Sequence, residues 1–189
     1  MTPARDPRLE ALLNFWFGPA RTDSASAGER MGRWFTPSQQ QDEEVVTRFG
    51  DLPGLAATGV FDPLLADAAS RLAATLFCDQ LPRVLHRGSA AAFTCDYQAQ
   101  ALSLGGIVAG LDRRVSLCER AFFYLPLEHA EDPVLQDLSV ARFEQLASEW
   151  PTSDRHGQGF LEHARQHRDI VLRFGRFPHR NRALGREST

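Results

Sequence analysis

Side chains that can bind anions or transfer protons are concentrated at four places in the sequence, each at or near the predicted end of a helix. They are residues 79–87, Asp96, residues 126–132 and the C-terminal residues 173–186. Arginine binds carboxylates and phosphates through its planar N–H groups, and histidine transfers protons near neutral pH. Together the four places predict a small-molecule site at the ends of helices.

A few side chains within these places are the candidates for chemistry. His129 or His179 is the predicted general acid or base, and Asp79 or Glu131 is predicted to orient it. Arginines are predicted to bind an anionic group such as phosphate or carboxylate. The predicted ligand-binding residues are Arg83, Arg87, Asp96, Arg176, Arg180 and Asn181. We expect these candidates to line one pocket, but their residue types do not fix a reaction.

Two neighbouring segments near the C-terminus carry opposite charge. Residues 168–186 hold six arginines and one aspartate (net +5), whereas residues 128–149 hold six acidic residues and one arginine (net −5). We expect the two segments to meet in the fold. Two interpretations stay open: the arginines form a structural latch onto acidic helix ends, or Arg83, Arg176 and Arg180 bind an anionic ligand.

The short segment His129–Asp132 contains residue types that bind metals, but their spacing is common by chance. Asp132 is followed directly by Pro133, a pair that is typical of a helix N-terminus. The better interpretation is therefore a capping acid, with its neighbours paired to arginines. No metal is predicted.

Other familiar motifs are incomplete. His163 and His167 lack the glutamate of a zinc-protease helix, and the glycines at 105–106 and 157–159 lack the lysine and the strand of a nucleotide-binding loop. No cofactor is predicted. His167 lies in phase with Phe160 and Phe174 on an apolar stripe, so it is interpreted either as a hydrogen-bonded core residue or as a base.

Composition limits the classes of partner. The 189 residues carry a net charge of −3, and all 21 basic residues are arginine. This charge argues against a nucleic-acid partner, which needs a basic surface.

No stretch is long and apolar enough for a membrane span, and the start lacks a signal sequence. Three widely spaced cysteines favour free thiols. A cytoplasmic protein is therefore predicted.

The apolar spacing is helical throughout and predicts an all-α fold. Stripes run through residues 93–111 and 160–174, and both are predicted to be core. A capping oxygen precedes proline at four predicted helix starts: Asp6-Pro7, Thr36-Pro37, Asp62-Pro63 and Asp132-Pro133. Thr36 and Gln39 also fit a capping box. Short connections predict antiparallel helix pairs in a single domain, residues 1–189.

Five motifs together resemble the bacterial domain-of-unknown-function 924 family. They are Arg33-Trp34-Phe35, Asp79-Gln80-x-Pro82-Arg83, Phe93-x-x-Asp96, Tyr124 to Asp132, and Phe174 to Arg186. Val84, His86 and Ala130 depart from the family pattern. The resemblance implies an all-α fold similar to tetratricopeptide-like helical arrays, and it implies no established activity.

Two functional hypotheses follow. The first is a pocket at helix ends that binds a small anionic molecule, with His129 or His179 as a possible acid–base group. The second is a protein-binding or scaffold domain whose arginine–carboxylate motifs are purely structural. A fold of this kind is compatible with both, because fold alone does not fix function.

Overall fold

The computed structural model describes residues 6–23, 26–36, 38–151 and 153–189, and these contain α-helices and no strand. The prediction of an all-α fold is confirmed. The α-helices are α1 Pro7–Phe17, α2 Ala27–Phe35, α3 Gln39–Phe49, α4 Leu52–Ala57, α5 Ala68–Asp79, α6 Leu81–Leu85, α7 Asp96–Val108, α8 Leu117–Glu128, α9 Pro133–Glu149 and α10 His156–Phe174. None of these described helices is both long and apolar enough to cross a membrane.

Two of the predicted proline starts are helix N-termini. The Asp6 carboxylate accepts a hydrogen bond from Arg8 N at 2.8 Å at the start of α1. The Asp132 carboxylate accepts one from Val134 N at 2.8 Å at the start of α9. In both helices proline at the first position costs no hydrogen bond, because its missing N–H would have no partner within the helix.

The other two starts differ from the prediction. Asp62-Pro63 begins a single 3-10 turn, and α5 begins later, where the Asp67 side chain accepts from Ser70 N at 2.9 Å. Pro37 lies outside the described residues. The helix that follows it, α3, is capped by Ser38, so the predicted capping box of Thr36 and Gln39 is wrong. The helix begins two residues later than the box requires, and the Ser38 hydroxyl accepts from Gln41 N at 3.5 Å.

Helix α7 packs by a different face from the predicted one. Tyr97 and Val108 are 86% and 88% exposed, so the stripe through residues 93–111 is largely not core. The buried face includes the small residues Ala99, Ser103 and Gly106, and α7 packs by it against α5 and α8. A Cβ on Gly106 would lie only 2.7 Å from a ring carbon of Phe123. Close approach of the backbones therefore decides which face of α7 is buried.

The last three helices form the support for the candidate site. Helix α9 packs against both α8 and α10, and α10 also contacts α8. Stacked Phe143 and Phe160, with ring centroids 5.9 Å apart, join α9 to α10. Phe122 of α8 makes an edge contact with Trp34 of α2 at 5.0 Å. These aromatic contacts hold α2, α8 and α10 around one cavity.

Candidate functional site

A cavity of about 620 Å³ lies among α2, α6, α8 and α10, a volume suited to a small molecule. Part of the lining is aromatic and is called the aromatic wall below; another part is polar and is called the polar wall. The aromatic side chains in the lining are Trp16, Trp34, Phe35 and Phe160. The polar and charged side chains include Arg33, Gln80, Arg83, Arg87, Glu128, His129, His163 and His167.

The aromatic wall is fixed at the C-terminal end of α2. Trp34 donates its indole N–H to the main-chain oxygen of Trp16 at 2.9 Å, which sets the plane of its ring. Phe35 is 49% exposed at the cavity, although its ring stacks on Phe122 at 6.3 Å and meets the edge of Phe160 at 5.9 Å. An apolar face is thus held open towards solvent by rigid neighbours.

The polar wall contains His129, which pairs with the carboxylate of Asp79 outside the lining and so joins the ends of α5 and α8. Nδ1 of His129 lies 2.7 Å from Oδ1 of Asp79, whose side chain is 1% exposed. Burial raises the pKa of Asp79, but His129 and Arg83 lower it more, so the net pKa is well below its usual range. The ionised carboxylate can only accept, so Nδ1 of His129 carries the proton.

The state of His129 follows from the same surroundings. Burial lowers the pKa of His129 more than the Asp79 carboxylate raises it, so the imidazole is neutral near pH 7. With Nδ1 donating to Asp79, the lone pair lies on Nε2. A neutral imidazole that lines a cavity and is oriented by a buried carboxylate has the arrangement of a general base.

A second layer of charge holds this pair in place. Asp96, at the start of α7, accepts from Arg83 at 3.1 Å and from Arg180 at 3.0 Å. Arg83 also donates to the main-chain oxygen of Asp79, and Arg180 donates to that of His129 at 3.0 Å. Arg180 is 5% exposed and does not line the cavity. Arg180 therefore positions His129 from outside the cavity.

The C-terminal segment contacts the connector between α8 and α9. The carboxylate of Glu131 accepts from Phe177 N at 2.9 Å and from Arg186 at 2.7 Å. The chain reaches this position because Gly175 ends α10 in the left-handed conformation, with φ of 68°. These contacts have the geometry of the predicted latch at Glu131.

Several predicted pocket residues belong to this segment and lie outside the cavity lining. Arg176 donates to the main-chain oxygen of Glu187 at 3.0 Å, Asn181 donates to Thr189 at 3.2 Å, and exposed His179 packs beside Phe177. The expectation that one pocket holds all candidates is therefore wrong. Only three of them line the cavity: Arg83, Arg87 and His129.

The opposite charges of the two segments pair only in part. Arg186 meets Glu131, and Arg168 lies 3.9 Å from Asp137. Two further acids pair with arginines outside residues 168–186: Glu144 with Arg165 at 2.8 Å, and Glu149 with Arg113 at 2.9 Å. Opposite net charge predicts that two segments attract each other, but the direction of each side chain determines which residues form ion pairs.

The candidate metal ligands do not converge. His129 faces Asp79, Glu131 binds Arg186, and Asp132 caps α9. Across the part of the chain that the structure describes, no three side chains of histidine, cysteine, aspartate or glutamate are grouped as metal ligands would be.

Glu128 is a site residue that the sequence interpretation missed. It is the last residue of α8, is 4% exposed and lines the cavity beside His167, with Oε1 3.3 Å from Nδ1 of His167. Burial, with a smaller contribution from Asp79, raises the pKa of Glu128 to about 8. Spacing could not have singled it out, because every residue of α8 from Cys118 to Glu128 is buried.

Known proteins share this fold and sequence pattern. The profile of a bacterial family of proteins of unknown function, DUF924, matches residues 12–189. A solved structure of a protein of unknown function from Agrobacterium tumefaciens is 36% identical, with a TM-score of 0.80 over 96% of this chain and 92% of that chain. No curated protein gives a significant match. The resemblance carried by the five sequence motifs is confirmed, and the chain belongs to the DUF924 family of bacterial proteins of unknown function.

Proposed function

We propose that the cavity binds a small molecule with an apolar, ring-sized body and an anionic group, and that His129 acts on it as a general base. One observation carries the proposal: a single cavity is lined by aromatic rings, by Arg83 and Arg87, and by His129, which is paired with the buried carboxylate of Asp79.

The arginines of the cavity retain donors for an anion. Arg87 is about half exposed and donates to Asp42 through Nη2 alone, as far as the described residues go. Its Nε and Nη1 groups are therefore free to bind a ligand. Arg83, whose side chain is 21% exposed, adds positive charge to the same lining while remaining paired with Asp96. A carboxylate or phosphate suits this pair of guanidinium groups.

The aromatic wall supplies the apolar part of the site. The rings of Trp34, Phe35 and Phe160 give a rigid surface on which a ligand ring can pack edge-on or offset. Burial of a ring-sized group against them provides binding energy that is independent of charge, so the ligand class is defined by both features together.

The scaffold hypothesis explains a different set of residues. Arg180 and Arg186 bond Asp96 and Glu131, and their role is to hold the fold. Neither lines the cavity, so structural arginines and a binding pocket coexist in one chain. We therefore propose that the latch and the pocket use different arginines.

Isothermal titration calorimetry with simple probes tests the proposal. The probes are 3-phenylpropanoate and phenyl phosphate, with 2-phenylethanol as the neutral comparison. We expect both anions to bind more tightly than the alcohol. Arg87→Gln should weaken the anions by roughly tenfold, the loss of one charged hydrogen-bonding partner, and leave the alcohol unchanged.

Arg165→Gln is the matched control. Arg165 is exposed to the same degree as Arg87 and pairs with a carboxylate at the same 2.8 Å, but it does not line the cavity. Equal losses in the two variants, or no preference for the anions in the natural protein, would contradict an anion site at Arg87.

A further inference from the structure

We propose that the cavity contains a second recognition subsite, at Glu128, that takes a protonated amine. The ligand is then a zwitterion, with an ammonium group at Glu128, an acidic group at Arg83 and Arg87, and an apolar body between them. This inference rests on the proposed function for the acidic group only.

Glu128 differs from every other buried acid that the structure describes around the cavity. Asp79 is bonded to His129 and Asp96 to two arginines, but Glu128 forms no ion pair with an arginine. Its Oε2 accepts no hydrogen bond from the described residues. A carboxyl group buried without a compensating partner is disfavoured as an anion and attracts a cation that can reach it.

The lining around Glu128 is suited to an ammonium ion. Aromatic rings attract cations over their faces, and the attraction increases where water is excluded. Trp34, Phe35 and Phe160 lie in the same lining as Glu128. A ligand amine would thus exchange its hydration shell for one carboxylate and several ring faces.

The two histidines next to Glu128, His167 in space and His129 in the chain, do not supply a cationic partner for its carboxyl group. His167 on α10 is neutral near pH 7, because burial lowers its pKa, and its Nδ1 lies near both Glu128 and the main-chain oxygen of His163. His129 is neutral as well. The remaining charged or titratable groups are Asp79 on α5, Arg83 on α6, Arg87 after α6, Arg33 on α2, Asp42 on α3 and His163 on α10.

Proton release is a direct consequence. Glu128 is protonated near pH 7 in the unliganded protein, since burial raises its pKa to about 8. A bound ammonium favours the ionised carboxylate, so binding at pH 7 releases a proton to the buffer. Below pH 8, the affinity for an amine should fall by up to about tenfold for each unit by which the pH is lowered, because the ionised fraction of Glu128 falls by the same factor.

Two probes of equal size and different charge test the subsite: phenethylamine and 2-phenylethanol. In the natural protein we expect the amine to bind more tightly and to release about one proton, measured by calorimetry at pH 7 in two buffers of different ionisation enthalpy. Glu128→Gln keeps the shape and the hydrogen-bonding capacity but not the charge. It should abolish both the preference for the amine and the proton release.

The outcomes separate this inference from the proposed function. Equal binding of the amine and the alcohol to the natural protein, or an amine preference that survives in Glu128→Gln, would overturn the subsite even if 3-phenylpropanoate binds. Amine binding that depends on Glu128, without any binding of 3-phenylpropanoate, would support the subsite and overturn the anion site at the arginines.

Discussion

The imidazole of His129 donates Nδ1–H to the carboxylate of Asp79 at 2.7 Å, although the two residues lie fifty positions apart in the chain. Asp79 ends α5 and His129 directly follows α8, so the packing of these two helices determines the geometry of the pair. Arg83 and Arg180 then fix the main-chain oxygens of the same two residues. The orientation of His129 is therefore built into the fold.

Removing Arg180 should destabilise the protein strongly. Its guanidinium lies between the rings of Phe93 and Phe177, at 4.7 and 4.6 Å, and bonds Asp96 in a buried site. Arg180→Ala leaves Asp96 with one arginine instead of two, and we expect a loss of about 3–5 kcal/mol in the free energy of unfolding. Urea denaturation measures the loss.

Arg182→Ala is the control for this prediction, because Arg182 is exposed and two residues away in the same segment. It should change the free energy of unfolding by less than about 0.5 kcal/mol. Similar small effects from both substitutions would show that the contacts of Arg180 contribute little to stability.

Glu128 should make stability depend on pH. Its pKa is about 8 in the folded protein, above the ordinary value of 4.5. Between these values the folded state holds more protons than the unfolded state, so the free energy of unfolding falls as pH rises. Relative to Glu128→Gln, the natural protein should lose up to about 1.4 kcal/mol per pH unit between pH 4.5 and 8.

Urea denaturation of both proteins across this pH range gives the difference directly. Other titrating groups cancel in the comparison, since the two proteins differ at one side chain. A difference that does not vary with pH would mean that Glu128 is not a buried neutral acid.

Asp79 should control the titration of His129. The carboxylate raises the pKa of His129 against the larger effect of burial. Asp79→Asn removes the charge with little change in volume, so the pKa of His129 should fall further below its usual value. NMR titration of the imidazole Cε1–H resonance, assigned with His129→Gln, provides the measurement. Asp137→Asn, at an exposed position on α9, should leave that pKa unchanged.

A rise in the pKa of His129 on loss of the Asp79 charge would contradict the pairing. The same result would remove the reason for placing the lone pair of His129 on Nε2.

Two glycines near the start of α10 should respond oppositely to alanine. A Cβ on Gly157 would lie 2.7 Å from Cβ of Trp150, so Gly157→Ala should cost about 1–3 kcal/mol through overpacking. A Cβ on Gly159 meets nothing within 4 Å. Gly159→Ala should stabilise the helix by roughly 0.5–1 kcal/mol, because alanine loses less backbone entropy on folding.

Thermal denaturation of the two variants distinguishes these effects. Equal changes at both positions would mean that Trp150 does not pack against Gly157 as the structure has it.

Local patterns in the sequence predict the helices well and their partners poorly. Asp6-Pro7 and Asp132-Pro133 cap helices because capping depends only on neighbouring residues. The buried face of α7 depends instead on how closely Gly106 allows Phe123 to approach, which is a property of two helices. The tetratricopeptide-like arrangement and the single domain stay predictions.

The sequence likewise predicts some residues of the candidate site and misses others. His129, Asp79 and Arg83 were identified as candidates from their types, and the structure brings them together. Glu128 lies within residues 126–132 but is not among the predicted site residues, because the sequence does not show that α8 is buried on all sides. The sequence predicts Arg180 as a ligand-binding residue. Its guanidinium is instead buried between two rings, so Arg180 is a structural residue. These residues differ in the burial and the direction of their side chains. The composition of the sequence contains neither property.

The central claim is that the cavity itself binds the anionic ligand, and Gly159 allows a direct test. Gly159 lines the cavity, and a side chain built there enters open space. Calorimetric titration of 3-phenylpropanoate should show binding to the natural protein and to Gly159→Ala, and none to Gly159→Trp, whose indole would occupy the cavity. Undiminished binding to a folded Gly159→Trp protein would contradict the claim.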